Sequence, residues 1–203
     1  MKIIGIGMNY KDHALELGLE VPSQPVFFLK PETSLLTNNA SFPFPDFSNE
    51  VHYETEIVIK INKKCRKITR EQAEDCFDEL TLGLDMTARD LQRNAMKKGL
   101  PWEIAKAFDF SAPIGRFINK NEVEDLSRLD FHLTINDVLR QKGNSSNLIF
   151  DFYEIISYVS GFITLYPDDL IFTGTPVGVG QVNIGDKLEA FLKNQKILEC
   201  NIV

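Results

Sequence analysis

The chain has 203 residues, 43% hydrophobic and 25% charged, the profile of a globular protein of one or two domains, which excludes wholesale disorder. Lysine and arginine number 22 against 29 aspartate and glutamate, a net charge of −7 without a basic block, which argues against nucleic acid and anionic membrane surfaces as partners. No run approaches the about 18 apolar residues of a membrane span. Cys65, Cys76 and Cys200 are odd in number, widely spaced and without a CxxC pair, so they read as three reduced thiols of a cytoplasmic protein.

Met1-Lys2-Ile3-Ile4-Gly5-Ile6-Gly7 reads as a first strand and lacks the cleavage-type ending of a signal peptide. Val26-Phe27-Phe28-Leu29 is a short apolar run closed by Lys30-Pro31, and the aromatic, proline-rich stretch 37–49 reads as an ordered loop. Glu56 to Ile61 alternates with period two, as does Leu80 to Asp85, the mark of strands with one buried face. Thr69 to Phe77 reads as a helix capped by Thr69, and Thr87 to Lys97 as another, with Thr87 and Asp90 at capping-box spacing. Phe131 to Asn136 alternates again, and Asp151 to Ser160 sets Ile155, Ile156 and Val159 on one helical face. Leu170-Ile171-Phe172 and Lys187 to Phe191 complete the strands. Strands in series with helices inserted singly predict one α+β domain over residues 1–203, with a curved or rolled sheet and a few peripheral helices.

Chemistry concentrates at a few positions. Residues two apart on a strand share a face, so Glu54 and Glu56 project together, opposite Thr55, Ile57, Ile59 and Ile61. Two adjacent like charges need a cation or a proton, although a lone ExE is by default a solvated strand face. Asp85, at the end of its strand, supplies a third carboxylate. An all-oxygen set of this kind selects Mg²⁺ or Mn²⁺ over zinc. Arg89 and Gln92, at i,i+3 on the following helix, share one side and can hold a substrate carboxylate. His13 and Glu16 have the same spacing, and a carboxylate behind an imidazole makes it a better base. His52 lies on the Glu54/Glu56 face, whereas His132 reads as plain strand surface. Lys106, between alanines beside Phe108, needs an anion if buried. The glycines of Thr173-Gly174-Thr175-Pro176-Val177-Gly178-Val179-Gly180 permit close backbone approach to a carboxylate, but the spacing is not that of a phosphate loop.

The stretches Asn9-Tyr10-Lys11-Asp12-His13, Phe28-Leu29-Lys30-Pro31, His52-Tyr53-Glu54-Thr55-Glu56, Leu84 to Gln92, Gly99-Leu100-Pro101-Trp102 to Lys106 and Thr173 to Gly180 run in one order over nearly the whole chain. Together they resemble the fumarylacetoacetate hydrolase family, closest to its short branch of acylpyruvases and oxaloacetate decarboxylases. The resemblance implies a mixed β-sandwich roll, usually a homodimer, with Mg²⁺ or Mn²⁺ on Glu54, Glu56 and Asp85. It implies a His13–Glu16 dyad on a mobile lid over about residues 9–20, and a catalytic lysine at Lys106. Arg89, Gln92, Thr175 and Lys30 are its substrate-binding counterparts. The implied activity is metal-dependent carbon–carbon hydrolysis of acylpyruvate-type 2-oxo acids. Oxaloacetate decarboxylation or tautomerisation, diene-dioate isomerisation, ureidoglycolate cleavage and a non-catalytic metal-loaded binding module are the rivals.

Overall fold

The strands Thr55–Ile61 and Phe77–Leu84 lie side by side in a six-stranded sheet, antiparallel and in register from Thr55 opposite Leu84 to Lys60 opposite Glu79. On one flank come Leu170–Phe172, Ile3–Gly7 and the edge strand Val26–Lys30; on the other, Ile118–Asn119. Ile3–Gly7 runs parallel to Leu170–Phe172 and the remaining pairs are antiparallel, so the sheet is mixed. A second, antiparallel sheet has the order Val138–Asn144, Asp130–Ile135, Lys187–Leu192, Gln195–Asn201. This computed structural model describes residues 1–16 and 20–203; the side chains of His13, Ala14 and Glu16 lie outside the described residues, and with them the predicted dyad and part of the predicted lid.

Both sheets feed one core. Ile57, Ile59 and Ile61 with Leu80, Leu82 and Leu84 face Leu133, Leu188, Ala190 and Leu198 of the second sheet and Ile155, Ile156 and Val159 of a helix, all buried. Each such isoleucine, leucine or valine contributes about 1.5–3 kcal/mol by leaving water. The first sheet is buried on its other face too, where Ile3, Val58, Leu170 and Phe172 close on Ala112 and Ile114. This corrects the reading of the alternation: Thr55 to Ile59 are all buried, so Glu54 and Glu56 do not project into solvent.

Among the described residues four α-helices are formed: α1 (Lys11–Glu16), α2 (Arg89–Lys98), α3 (Glu103–Lys106) and α4 (Phe152–Phe162). The last begins at a capping box in which Asp151 accepts from the backbone of Tyr153 and Glu154, and Glu154 accepts from that of Asp151. Two predicted helices need correction. Between Thr69 and Phe77 only a 3₁₀ turn, Glu71–Asp75, forms, because the chain must be extended again at Phe77. Thr87 caps nothing: Thr87–Ala88 pairs with Val51–Tyr53 as a short strand, and Asp90 instead accepts from Ser48.

Candidate metal and substrate site

Strand pairing explains how three acids meet. The backbone N–H of Asp85 donates to the Glu54 carbonyl at 2.8 Å, which continues the ladder by one step and sets these residues side by side. Glu56 follows on the same face, opposite Gly83, which has no side chain to intrude. One carboxylate oxygen from each of Glu54, Glu56 and Asp85 lies within 4.8 Å of the other two, and all three residues are buried.

Three cations offset this charge. Lys106, at the end of α3, donates to Glu54 Oε2 at 2.7 Å, Asp85 Oδ2 at 2.6 Å and Thr87 Oγ1 at 2.7 Å, which uses all three ammonium hydrogens. Burial pulls this ammonium down, but Asp85 and Glu54 outweigh it and its pKa ends above the ordinary lysine value. Arg89, the first residue of α2, reaches Glu54 Oε1 and Gln92 Oε1 at 2.5 Å each and His52 Nδ1 at 3.4 Å. His52 Nε2 then points at Glu50 Oε1 (2.9 Å), and burial followed by the Arg89 charge lowers the imidazole pKa. Hydrogen bonds from Arg93 hold the Glu50 carboxyl down at about 2. Glu56 differs: burial, then Asp85 and Glu54, drive its pKa well above the ordinary value, against a single 2.7 Å hydrogen bond from the Gly174 N–H.

Lys30 corrects an expectation. Its side chain is fully buried behind the acids, 2.7 Å from Asp85 Oδ1, and donates to the Lys106 carbonyl and to Ser111, so it does not line the cavity where a substrate would sit. Burial lowers the Lys30 pKa, with Asp85 opposing. Although paired with this ammonium, Asp85 Oδ1 has no aligned hydrogen-bond donor among the described residues. A buried carboxylate oxygen in that condition, within an all-oxygen triad, fits a hard divalent cation.

In front of the acids lies a cavity of about 460 Å³, walled by Met8, Phe28, Met96, Trp102 and Val179, with Arg89, Gln92, Lys106 and Thr175 on its polar side. Its floor includes the first strand. Gly5 leaves room for the Phe28 ring, which would stand 2.3 Å from a Cβ there, whereas a Cβ at Gly7 would meet Trp102 at an ordinary 3.5 Å. Gly174 adopts φ +102°, with Asn9 Cβ 2.7 Å from where its own Cβ would be, so only glycine can present that N–H to Glu56. Thr175 reaches the wall, but its hydroxyl donates to the Thr55 carbonyl at 2.9 Å and accepts from Gln141 Nε2 at 2.7 Å. A larger hollow of about 670 Å³ beside Arg70, Lys120 and Tyr153 holds no comparable cluster; Arg70 there is paired with Asp151.

Gln141 escaped the sequence reading. Buried in Val138–Asn144 of the second sheet, it accepts from the Thr55 N–H at 3.0 Å and donates to Thr175 Oγ1 and the Pro176 carbonyl. It thereby ties the Glu54–Glu56 strand to the glycine loop. The only signal was a polar residue in a polar stretch, which propensity does not distinguish from surface. Asn9 is similar: it bonds the Thr173 and Phe150 carbonyls and the Phe150 N–H, anchoring the chain just before α1.

Fold and site together define a metal-type carboxylate centre on a mixed-sheet roll, and the chain belongs to the fumarylacetoacetate hydrolase family: the model of that family's C-terminal domain matches residues 2–203. Its relatives include the mitochondrial oxaloacetate decarboxylase of Dictyostelium discoideum, 43% identical over 93% of this chain and 87% of the relative. The mitochondrial oxaloacetate tautomerase of Homo sapiens is 43% identical over 93% of this chain and 85% of that protein. Among solved structures, fumarylpyruvate hydrolase from Pseudomonas aeruginosa in complex with Mn²⁺ and pyruvate superposes with a TM-score of 0.94 at 36% identity, covering all of this chain and 89% of that one.

Proposed function

We propose that the chain is a Mg²⁺- or Mn²⁺-dependent enzyme of small 2-oxo acids, and that its principal reaction is hydrolytic cleavage of an acylpyruvate. The observation that carries this reading is the convergence of three buried carboxylates with Arg89, Gln92 and Lys106 on one cavity. Glu54, Glu56 and Asp85 would hold the ion, which when bound supplies a Lewis acid for the carboxylate and keto oxygens of the substrate. A guanidinium has five N–H donors, more than the described contacts of Arg89 consume, so it can also orient a carboxylate by its fork. Gln92 adds an amide on the same side.

Water adds to the distal carbonyl, and His13 backed by Glu16 is proposed to take its proton. The carbon–carbon bond then breaks, its electron pair passing into the pyruvate unit as an enolate. Lys106, with three hydrogens now spent on Glu54, Asp85 and Thr87, serves the enolate once the two acids turn away from it. Thr175 can donate to a substrate only by giving up its bond to Thr55.

The oxaloacetate enzymes among the relatives favour a second reading, decarboxylation or tautomerisation of oxaloacetate, which uses the same electron sink without water attack. The test is a parallel assay of metal-loaded protein on acetylpyruvate and oxaloacetate, with and without chelator. Faster pyruvate release from acetylpyruvate supports the hydrolase, turnover of oxaloacetate alone supports the second reading, and no product from either leaves a metal-loaded binding module. His13→Ala should harm hydrolysis more than oxaloacetate conversion. The homodimer and the cytoplasmic setting are carried forward as proposals, the former open to light scattering; among the described residues no helix is long and apolar enough to cross a membrane.

A further inference from the structure

We propose that Cys65 and Cys76 are an oxidisable pair that closes into an intrachain disulfide, stapling the hairpin that carries the acidic triad. The sequence hides this, because the two cysteines stand far apart with no motif between them. The structure shows them flanking the long connection from Thr55–Ile61 to Phe77–Leu84, their sulfurs 2.8 Å apart and each residue 1% exposed. Closing that gap to a covalent bond of about 2.05 Å needs a movement of only about 0.8 Å.

Both backbones are already fixed for it. Cys65 exchanges two hydrogen bonds with Leu165, at 3.0 and 2.9 Å. Cys76 donates to the Ala73 carbonyl at 3.0 Å and accepts from the Asn62 N–H at 2.9 Å. Rotation about the side-chain torsions is therefore the main change required. The competing thiol contacts are weak: Cys65 Sγ to the Lys63 carbonyl and Cys76 Sγ to the Gln72 carbonyl, each at 3.3 Å. Cys200 takes no part; its described sulfur contact is the Ala40 carbonyl at 3.8 Å.

In the step, two S–H bonds break and one S–S bond forms. Two electrons and the two protons pass to a low-molecular-weight disulfide, whose S–S bond breaks to give two thiols. Burial, then the neighbouring thiol, raises Cys65 to about 12, so in the folded protein that thiol stays protonated, and both sulfurs are shielded by burial. Exchange accordingly takes place while the chain folds or opens, and the finished bond is as protected from reductants as the thiols were from oxidants. The staple lies at the far end of the hairpin from the acids. Ile61 stands five residue steps beyond Glu56, roughly 17 Å along a strand, so the bond acts on stability and leaves the chemistry alone.

The experiment refolds the full chain from denaturant in a mixture of oxidised and reduced glutathione, and in parallel under excess reductant. Each sample is then unfolded, alkylated and weighed. The oxidised sample should show one reactive thiol, at Cys200, a mass lower by about 2 Da before alkylation, and a peptide joining residues 65 and 76. Its Tm should exceed that of the reduced sample by roughly 5–10 °C. Cys200→Ser should then show no free thiol when oxidised, whereas Cys76→Ser should melt identically in both buffers. Three reactive thiols after oxidation, a cross-link through Cys200 or to a second chain, or an oxidised form melting no higher than the reduced one would each overturn the proposal.

Discussion

Replacing Glu56 by glutamine separates the two roles of the acidic triad, because it should raise the stability of the metal-free protein while weakening its response to metal. Two carboxylates no more than 4.8 Å apart repel by at least about 3.5 kcal/mol at an effective dielectric of about 20. Glu56 has two such neighbours, and Lys106 offsets only part of the repulsion. Proton linkage sets an upper limit. Starting from its ordinary value of 4.5, a carboxyl with a strongly raised pKa costs at most about 1.36 × 2.5, or about 3.4 kcal/mol, at pH 7. The sign follows from the direction of the shift: the cost is absent below the unfolded pKa and grows as pH rises above it. Glutamine matches the protonated form and keeps an oxygen for the Gly174 N–H. We therefore expect Glu56→Gln to gain about 1–3 kcal/mol in chelator at pH 7, a Tm higher by roughly 2–10 °C, and to gain nothing at pH 4. Saturating Mn²⁺, at a hundred times its Kd, should stabilise the wild type by about 2.7 kcal/mol and the variant by much less. Paired melts in chelator and in Mn²⁺ read both effects. A variant that melts lower than wild type in chelator and keeps the full Mn²⁺ shift refutes the reasoning.

Lys106→Met removes the ammonium shared by Glu54 and Asp85, so the metal-free protein should lose about 3–5 kcal/mol, with turnover abolished and most of the lost Tm regained on adding Mn²⁺; chemical denaturation with and without the ion measures this. Gln141→Leu leaves the Thr55 N–H and Thr175 hydroxyl without their buried partner; a loss of about 1–3 kcal/mol, accompanied by a raised KM, is expected from urea melts and steady-state kinetics. Gly174→Ala forces a side chain into left-handed backbone and against Asn9, and should cost at least about 1–3 kcal/mol by thermal melt along with much of the metal-dependent activity.

The sequence made most of the site legible because its chemistry is local. The Glu54–Glu56 spacing, the strand end at Asp85 and the helical spacing of Arg89 and Gln92 each follow from one element's period, and the geometry brings those side chains to one cavity. What stayed hidden depends on distant chain. Gln141 lies on a strand too polar to announce itself, the Cys65–Cys76 contact needs a whole connection to fold back, and Lys30 shows its depth only once Ser111 and Asp85 surround it. The same holds for elements. Asp130–Ile135 alternates cleanly and was readable, whereas Val138–Asn144 buries only Gln141 and Gly143, and Gln195–Asn201 alternates only from Leu198 onward. Thr87 misled because capping-box spacing also suits a residue whose hydroxyl accepts from Lys106 and donates to the Asp85 carbonyl.

The two glycines under the cavity are unequal. At Gly5 the vacancy is already taken by Phe28, so enlarging that residue pushes a wall inward and costs packing throughout the sheet. At Gly7 a methyl group would rest against Trp102 without displacing it. The depth of the chamber is thus adjustable at one position by a single carbon at a time, and libraries seeking to shift preference between long and short acyl chains should begin there.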